Sequence, residues 1–186
     1  MLNLNLGSGS IKIKDYINVD KYEIFKPDIL HDLEQFPYPF EDSSVENIIL
    51  SHILEHIGQS PDTFNTIMRE LYRICKNKAS ISITVPHPRH DDFLTDPTHV
   101  RPITNLLLKL YDKKLNQQWQ KEKVANSPLA LIHKVNFKVK KVRYDLEEKY
   151  YKMLKDRKIN RTELDDMINK YNNVIKQIFI QLQVIK

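Results

Sequence analysis

Met1-Leu-Asn-Leu-Asn-Leu-Gly7-Ser-Gly9-Ser10, running on to Ile17-Asn-Val-Asp20, is the stretch on which the reading of this chain turns. Leu2, Leu4 and Leu6 alternate with Asn3 and Asn5, the period of a strand with two unlike faces. The alternation breaks into Gly7-Ser8-Gly9, and a second short apolar strand then ends on an acid. Two glycines after a strand let a ligand approach the backbone where a Cβ would collide. An acid closing the next strand can accept hydrogen bonds from a ribose diol. An isolated G-x-G is more often an ordinary tight turn, so the pair needs company before it means a nucleoside site.

That company comes from the strands downstream. Strand-like pieces are predicted at 2–6, 16–19, 45–50 and 80–85, with a weaker one at 28–30. Pro61-Asp62 followed by Phe64, Ile67, Met68, Leu71, Ile74 and Cys75 spaces apolar residues by three and four, predicting a helix over 61–76 with Cys75 as a small buried hydrophobe on it. Strands alternating with helices imply an α/β fold with a mostly parallel sheet and helices on both faces. Past Asp112 the pattern loosens. Helices are expected near 103–114 and 162–171, and strands near 137–144 and 177–184 complete the sheet as an antiparallel edge. Whether 115–126 is ordered stays open.

One spacing departs from the pattern. A full strand–helix–strand unit takes about thirty residues, and far fewer separate Gly7 from Asp20. The first crossover helix is therefore vestigial or replaced by a loop. A dinucleotide site needs a complete helix N-terminus for its pyrophosphate, whereas a cofactor without phosphates does not. The missing helix shifts the choice from NAD toward S-adenosylmethionine (SAM).

The 186 residues suit one domain, with 1–105 as cofactor core and acceptor loop and 106–186 as cover and sheet completion. Hydrophobic residues make up 41% and charged residues 28%, ordinary for a globular protein. No apolar run reaches the roughly 18 residues of a membrane span, and no basic-then-apolar leader opens the chain, so a cytoplasmic protein without a membrane partner is expected. Cys75 is the only cysteine, which excludes an internal disulfide and a thiolate metal cage. The net charge of +5 invites a nucleic-acid partner. Lysine, asparagine and isoleucine are abundant throughout, however, and Lys134-Val-Asn-Phe-Lys-Val-Lys-Lys141 also describes a half-buried strand with a solvated face. No nucleic acid polymer is expected.

In open parallel sheets ligands bind beyond the carboxyl ends of the strands. The residues just past each predicted strand are Gly7-Ser8-Gly9, then Asp20, His31-Asp32-Leu33, Ser51-His52 and Pro86-His87-Pro88-Arg89-His90. These include nearly every type able to bind a nucleoside or move a proton.

In this combination the chain resembles the class I, Rossmann-like SAM-dependent methyltransferases, in particular a small group with an abbreviated first helix. Leu4-Asn-Leu-Gly-Ser-Gly9 resembles their glycine loop, Tyr16-Ile-Asn-Val-Asp20 their ribose-binding acid, and Asp28-Ile-Leu-His-Asp-Leu33 their adenine-side acid and its apolar neighbour. Phe36-Pro-Tyr-Pro-Phe-Glu-Asp-Ser-Ser-Val45 resembles the loop into the fourth strand, and Ser51-His-Ile-Leu-Glu-His56 with Glu70-Leu-Tyr-Arg-Ile-Cys75 the segments after it. The likeness covers residues 1–105. It implies that Asn5, Gly7, Ser8, Gly9, Asp20, Asp32, Leu33 and Ser51 hold SAM, with S-adenosylhomocysteine as product. The chain departs from the family at Asn5, usually an acid, at Ile11, commonly a third glycine, and at Glu46, usually Asp. His87-Pro-Arg-His-Asp-Asp-Phe93 and Asp96-Pro-Thr-His-Val-Arg101 further resemble small methyltransferases of bacterial surface-polysaccharide pathways, among them the kind that O-methylates a phosphoramidate precursor of capsule.

On the acceptor side, His87, Arg89, His90 and Arg101 form a cationic set suited to a small anionic acceptor, Arg89 and Arg101 being the preferred phosphate contacts. His52, His56 and His99 are the candidate catalytic residues, with His99 a base if Asp96 orients it. An imidazole near its ordinary pKa of about 6.5 can take a hydroxyl proton; a phosphate-type oxyanion needs no base. Two rivals remain. One is a SAM-binding regulatory domain without activity. The other is a zinc hydrolase, since His52-Ile-Leu-Glu55-His56 matches H-x-x-E-H. That motif needs a sustained helix under both histidines, and Gly58 and Pro61 follow almost at once, so a loop fits better and no metal is expected.

Overall fold

In the computed structural model, which describes residues 2–186, the chain runs through β1 (Leu2–Leu6), β2 (Ile17–Asp20), a 3₁₀ turn (Glu23–Phe25), β3 (Ile29–Leu30) and β4 (Val45–Ser51). Then come α1 (Pro61–Ile74), β5 (Cys75–Pro86) and the short helices α2 (Asp91–Leu94), α3 (Asn105–Lys109), α4 (Lys113–Lys121) and α5 (Leu129–His133). β6 (Phe137–Leu146), α6 (Glu148–Lys155), α7 (Arg161–Lys170) and β7 (Ile175–Val184) complete it. The strands form one seven-stranded sheet in the order β3-β2-β1-β4-β5-β7-β6. β1 to β5 pair in parallel, and β7 runs antiparallel to both β5 and β6. The expected α/β sheet with an antiparallel edge is present.

The connections follow from the local sequence. No helix lies between β1 and β2; turns fill 7–16. α1 is the one long crossover, and its start is specified by Ser60, whose side chain accepts from the Thr63 N–H, and by Pro61 in the first turn. Its apolar stripe (Phe64, Ile67, Met68, Leu71, Ile74) is buried in the same core as Leu4, Leu6, Ile48, Leu50 and Ile81 of the sheet. Each such side chain contributes about 1.5–3 kcal/mol on burial.

Two expectations need adjusting. Cys75 caps the C-terminus of α1 and begins β5, fully buried, and burial pushes its thiol up to about 12. The helix expected over 103–114 is two helices, because Thr104 and Asp112 each cap a fresh N-terminus, to Leu107 and Leu115. Residues 115–126 open within α4. α6 was not foreseen. With α7 it encloses a small satellite core of Ile159, Leu164 and Val174 with Tyr150, Met153 and Met167 against it. Lys138, Lys140 and Lys141 stand exposed on β6, the edge strand, as charges that discourage further strand pairing. No described helix is long and apolar enough to cross a membrane.

Candidate functional site

The carboxyl ends of β1, β2 and β3 open on a cavity of about 340 Å³ walled by Gly7, Gly9, Asp20, Tyr22, His31, Asp32, Leu33, Ile53 and His56, among others. Gly7 has φ +67°, and a Cβ there would lie 2.5 Å from Ile53 Cγ1. Gly9 has φ +50°, and a Cβ there would meet nothing within 4 Å. Gly7 thus lets the β1 turn pack against the post-β4 segment, while Gly9 leaves the wall open. Asp20 is 8% exposed; its Oδ2 accepts from the Gly9 N–H at 2.8 Å and its Oδ1 from the Tyr22 N–H at 3.0 Å. Each carboxylate oxygen keeps a further acceptor site for a ligand hydroxyl.

At the β3 end, Asp32 uses Oδ1 to accept from the Glu34 N–H at 3.0 Å, and Leu33 is buried. His31 was named at this strand end without a role, and Tyr22 and Phe25 were not singled out from the sequence. His31 has a buried Nε2 with no hydrogen-bond partner among the described residues and meets the Tyr38 ring edge-on. Tyr22 and Phe25, also on the wall, form an exposed edge-to-face aromatic pair just past Asp20. Two aromatics directly after a strand-end acid were the available signal.

Three of the residues expected to hold the cofactor do not reach the cavity wall. Asn5 is buried and donates to the Ile11 carbonyl and to Asn18 Oδ1, both at 3.0 Å, so it ties the helix-free turn to β2. Ser8 is buried and donates its N–H to the Val19 carbonyl. Ser51 ends β4, paired with Thr84. Gly7, Gly9, Asp20, Asp32 and Leu33 do come together.

Past β4 the chain turns at His52 (φ 54°), whose N–H donates to the Thr84 carbonyl. The turn buries Glu55, which is 1% exposed with neither carboxylate oxygen hydrogen-bonded among the described residues. The nearest basic group paired with it is the imidazole of His52, Nδ1 3.4 Å from Glu55 Oε1. The Glu55 carboxyl holds His52 above the usual imidazole range, against the effect of its partial burial. The Glu55 carbonyl accepts from the Val100 N–H at 2.8 Å, which draws the post-β5 segment alongside and sets the His56 and His99 rings 4.5 Å apart. Thr98 donates its hydroxyl to Asp96 Oδ1 at 2.6 Å and so accepts at 2.8 Å from His56 Nδ1–H. His99 donates Nδ1–H to the Phe93 carbonyl at 2.8 Å and stacks on the Phe93 ring. Both rings are thereby fixed with Nε2 as the nitrogen without a hydrogen bond, that of His99 lying 3.9 Å from Asp96 Oδ2. Among the candidate catalytic histidines, His56 lines the cavity, His99 lies against it, and His52 faces Glu55. These residues sit in a loop, as expected, and not on one helix face.

The residues of the cationic acceptor set have partners within the protein. Arg89 donates to the carbonyls of Ile168, Asn169 and Tyr171 and to Asn172 Oδ1, closing the end of α7. Arg101 donates to the carbonyls of Gly58 and Gln59 and lies over the Phe64 ring at 4.4 Å. His90 is buried, caps α2 through Nδ1 and meets Glu147 through Nε2. His87 accepts from the Arg89 N–H, and its basicity is lowered by burial first, then by Arg89 and His90. These four are fasteners of the post-β5 segment. Backbone carbonyls also accept from guanidinium, and composition alone does not show where the carbonyls will lie.

No family model matches the chain, and no curated protein matches its sequence. Solved structures do match. A SAM-dependent methyltransferase from Archaeoglobus fulgidus superposes with a TM-score of 0.62 at 15% identity, over 97% of this chain and 85% of that one. A SAM-dependent methyltransferase from Methanosarcina mazei gives 0.55 at 15%, over 98% and 92%. Phosphoethanolamine N-methyltransferase 2 from Haemonchus contortus, in complex with SAM, gives 0.54 at 12%, over 100% of this chain and 49% of that one. At such identities the likeness is one of architecture, and by its strand order and these superpositions the chain has the methyltransferase fold.

Proposed function

We propose that the protein transfers the methyl group of SAM to an oxygen of a small anionic acceptor. The observation that carries this reading is the single cavity in which Gly7, Gly9, Asp20, Asp32 and Leu33 meet His56 and Thr98. Asp20 would receive the ribose hydroxyls and Gly9 would let the chain of the cofactor pass. His31, Asp32 and the Tyr22–Phe25 pair would flank the base. The methyl group would then face the His56 side. The sulfonium is already activated, so the protein's work is to align nucleophile, methyl and sulfur and to exclude water.

The choice of oxygen, of a phosphate- or phosphoramidate-bearing nucleotide or sugar, and of a role in surface-polysaccharide synthesis rests on the likeness of 87–93 and 96–101 to that group. Arg89 and Arg101 are engaged on carbonyls, so the reading does not call on a pair of free guanidiniums to hold the anion. The test is calorimetry with SAM and S-adenosylhomocysteine, followed by transfer of labelled methyl to phosphate-bearing acceptors and their neutral analogues. Tight cofactor binding with turnover on the charged acceptors is the expected result. Binding without turnover on any acceptor favours a regulatory SAM-binding domain. No binding of either compound overturns both.

A further inference from the structure

Glu55, His56 and His99 each offer one donor atom, and the three donors lie within 4.8 Å of one another. We infer that they form a site for a divalent transition-type cation, beside the cofactor cavity, whose open coordination positions take the acceptor oxygen.

The carboxylate of Glu55 is the first argument. It is 1% exposed and neither oxygen has a hydrogen-bond partner among the described residues. A bare buried carboxylate is strongly unfavourable unless a cation or donor compensates it. His52 stands 3.4 Å away but is itself half exposed, and it serves only one of the two oxygens.

The rings supply the second argument. Each histidine gives its Nδ1 proton to an oxygen, His56 to Thr98 and His99 to the Phe93 carbonyl. Thr98 is in turn held by Asp96. A metal-binding imidazole is commonly oriented this way, with one N–H on an oxygen and the other nitrogen free to ligate. Two imidazoles and one carboxylate suit zinc, iron, cobalt or manganese rather than the all-oxygen sets of calcium, and leave positions open for water or substrate. At metal–ligand bonds of about 2.0–2.2 Å the donors would draw together by about an ångström.

The third argument is what the cluster would do, and this part rests on the methyl-transfer reading above. The post-β5 arginines are engaged, so a cation here would supply the positive charge that an anionic acceptor requires. It would also make a bound hydroxyl more acidic, so that its proton leaves to solvent as the oxygen attacks the methyl carbon and the sulfonium bond breaks. The H-x-x-E-H spacing suggested a different set with His52 as ligand. The fold brings in His99 instead, through the Glu55–Val100 hydrogen bond.

The experiment uses the full chain stripped with chelator and titrated with Co²⁺, read by its visible d–d absorption and by calorimetry, with S-adenosylhomocysteine binding measured on the same samples. One Co²⁺ per chain is expected, displaced by Zn²⁺. Glu55→Gln and His99→Asn should each weaken it by at least about tenfold, with S-adenosylhomocysteine affinity within about twofold of the parent as the check that each variant is folded. Protein that binds S-adenosylhomocysteine but shows no Co²⁺ saturation below about 1 mM overturns the metal site and leaves methyl transfer standing. So does Co²⁺ binding that is unaffected by both substitutions. Co²⁺ binding that follows the substitutions in protein that binds no S-adenosylhomocysteine sustains the metal site and overturns its role with the methyl acceptor.

Discussion

Arg89 donates through Nη2 to the carbonyl of Tyr171 at 2.7 Å, and with three further acceptors on 168–172 it fastens the segment after β5 to the end of α7. Charge-assisted hydrogen bonds of this kind contribute about 1.5–3 kcal/mol each when their loss leaves acceptors unpaired. Arg89→Ala should therefore lower stability by about 2 kcal/mol, or about 4–8 °C in Tm for a chain of this size. Calorimetric melting checks it. A raised acceptor KM at unchanged Tm would instead put the guanidinium on the substrate.

Asp20 receives two backbone N–H groups and keeps lone pairs for a diol. Asp20→Ala should weaken S-adenosylhomocysteine binding by about 10–100-fold, the value of one hydrogen bond to a charged group. Isothermal titration measures it directly. Affinity equal to the parent would remove Asp20 from the cofactor site.

The two glycines of the opening turn should differ. Gly7→Ala adds a Cβ 2.5 Å from Ile53 at φ +67°, whereas Gly9→Ala has open space and meets only the strain of φ +50°. Left-handed backbone costs a non-glycine residue about 1–2 kcal/mol, and overpacking adds about 1–3 kcal/mol. Urea unfolding should show Gly7→Ala as the more destabilised, and Gly7→Ala combined with Ile53→Ala should recover part of the difference. Equal losses at both positions would mean that the Ile53 contact is not what requires Gly7.

Glu70 joins α1 to the loop before β4. Its Oε2 accepts from the Tyr38 N–H at 2.7 Å and from Arg73 Nη2 at 2.7 Å. Burial alone would raise this carboxyl, but the Arg73 fork and the Tyr38 N–H outweigh it and hold it below its ordinary value. A carboxyl depressed in the folded state stabilises at neutral pH, and that stabilisation is lost as pH falls from the unfolded value of about 4.3 through the folded one. Glu70→Gln should cost about 1.5–3 kcal/mol at pH 7 and progressively less below about pH 4. A constant difference between pH 7 and pH 3 in denaturant midpoints would contradict it.

The cofactor half was legible because two short-range signals coincided there. Short apolar runs mark β1 and β2, both buried toward their carboxyl ends, and Gly7 and Asp20 stand at those ends, so strand ends and cavity wall share one line of sequence there. The absent helix after β1 was legible from spacing alone. α6 was hidden because Glu-Lys-Tyr-Tyr-Lys-Met-Leu-Lys serves only a satellite core and has no fully buried residue. The acceptor side was legible in composition but not in roles. His56 and His99 are joined through the Glu55–Val100 backbone bond, and Arg89 and Arg101 are claimed by carbonyls that no local pattern announces.

The position of β7 also shapes how the molecule is made. It lies between β5 and β6 in the sheet although it follows both in the chain. During synthesis β6 emerges before the strand that will pair it, and α6 and α7 must be completed in the interval. For that time both β5 and β6 present open edges to the crowded interior of a cell. The lysines along β6 then act earlier than the finished fold, keeping a waiting strand in water until its partner arrives.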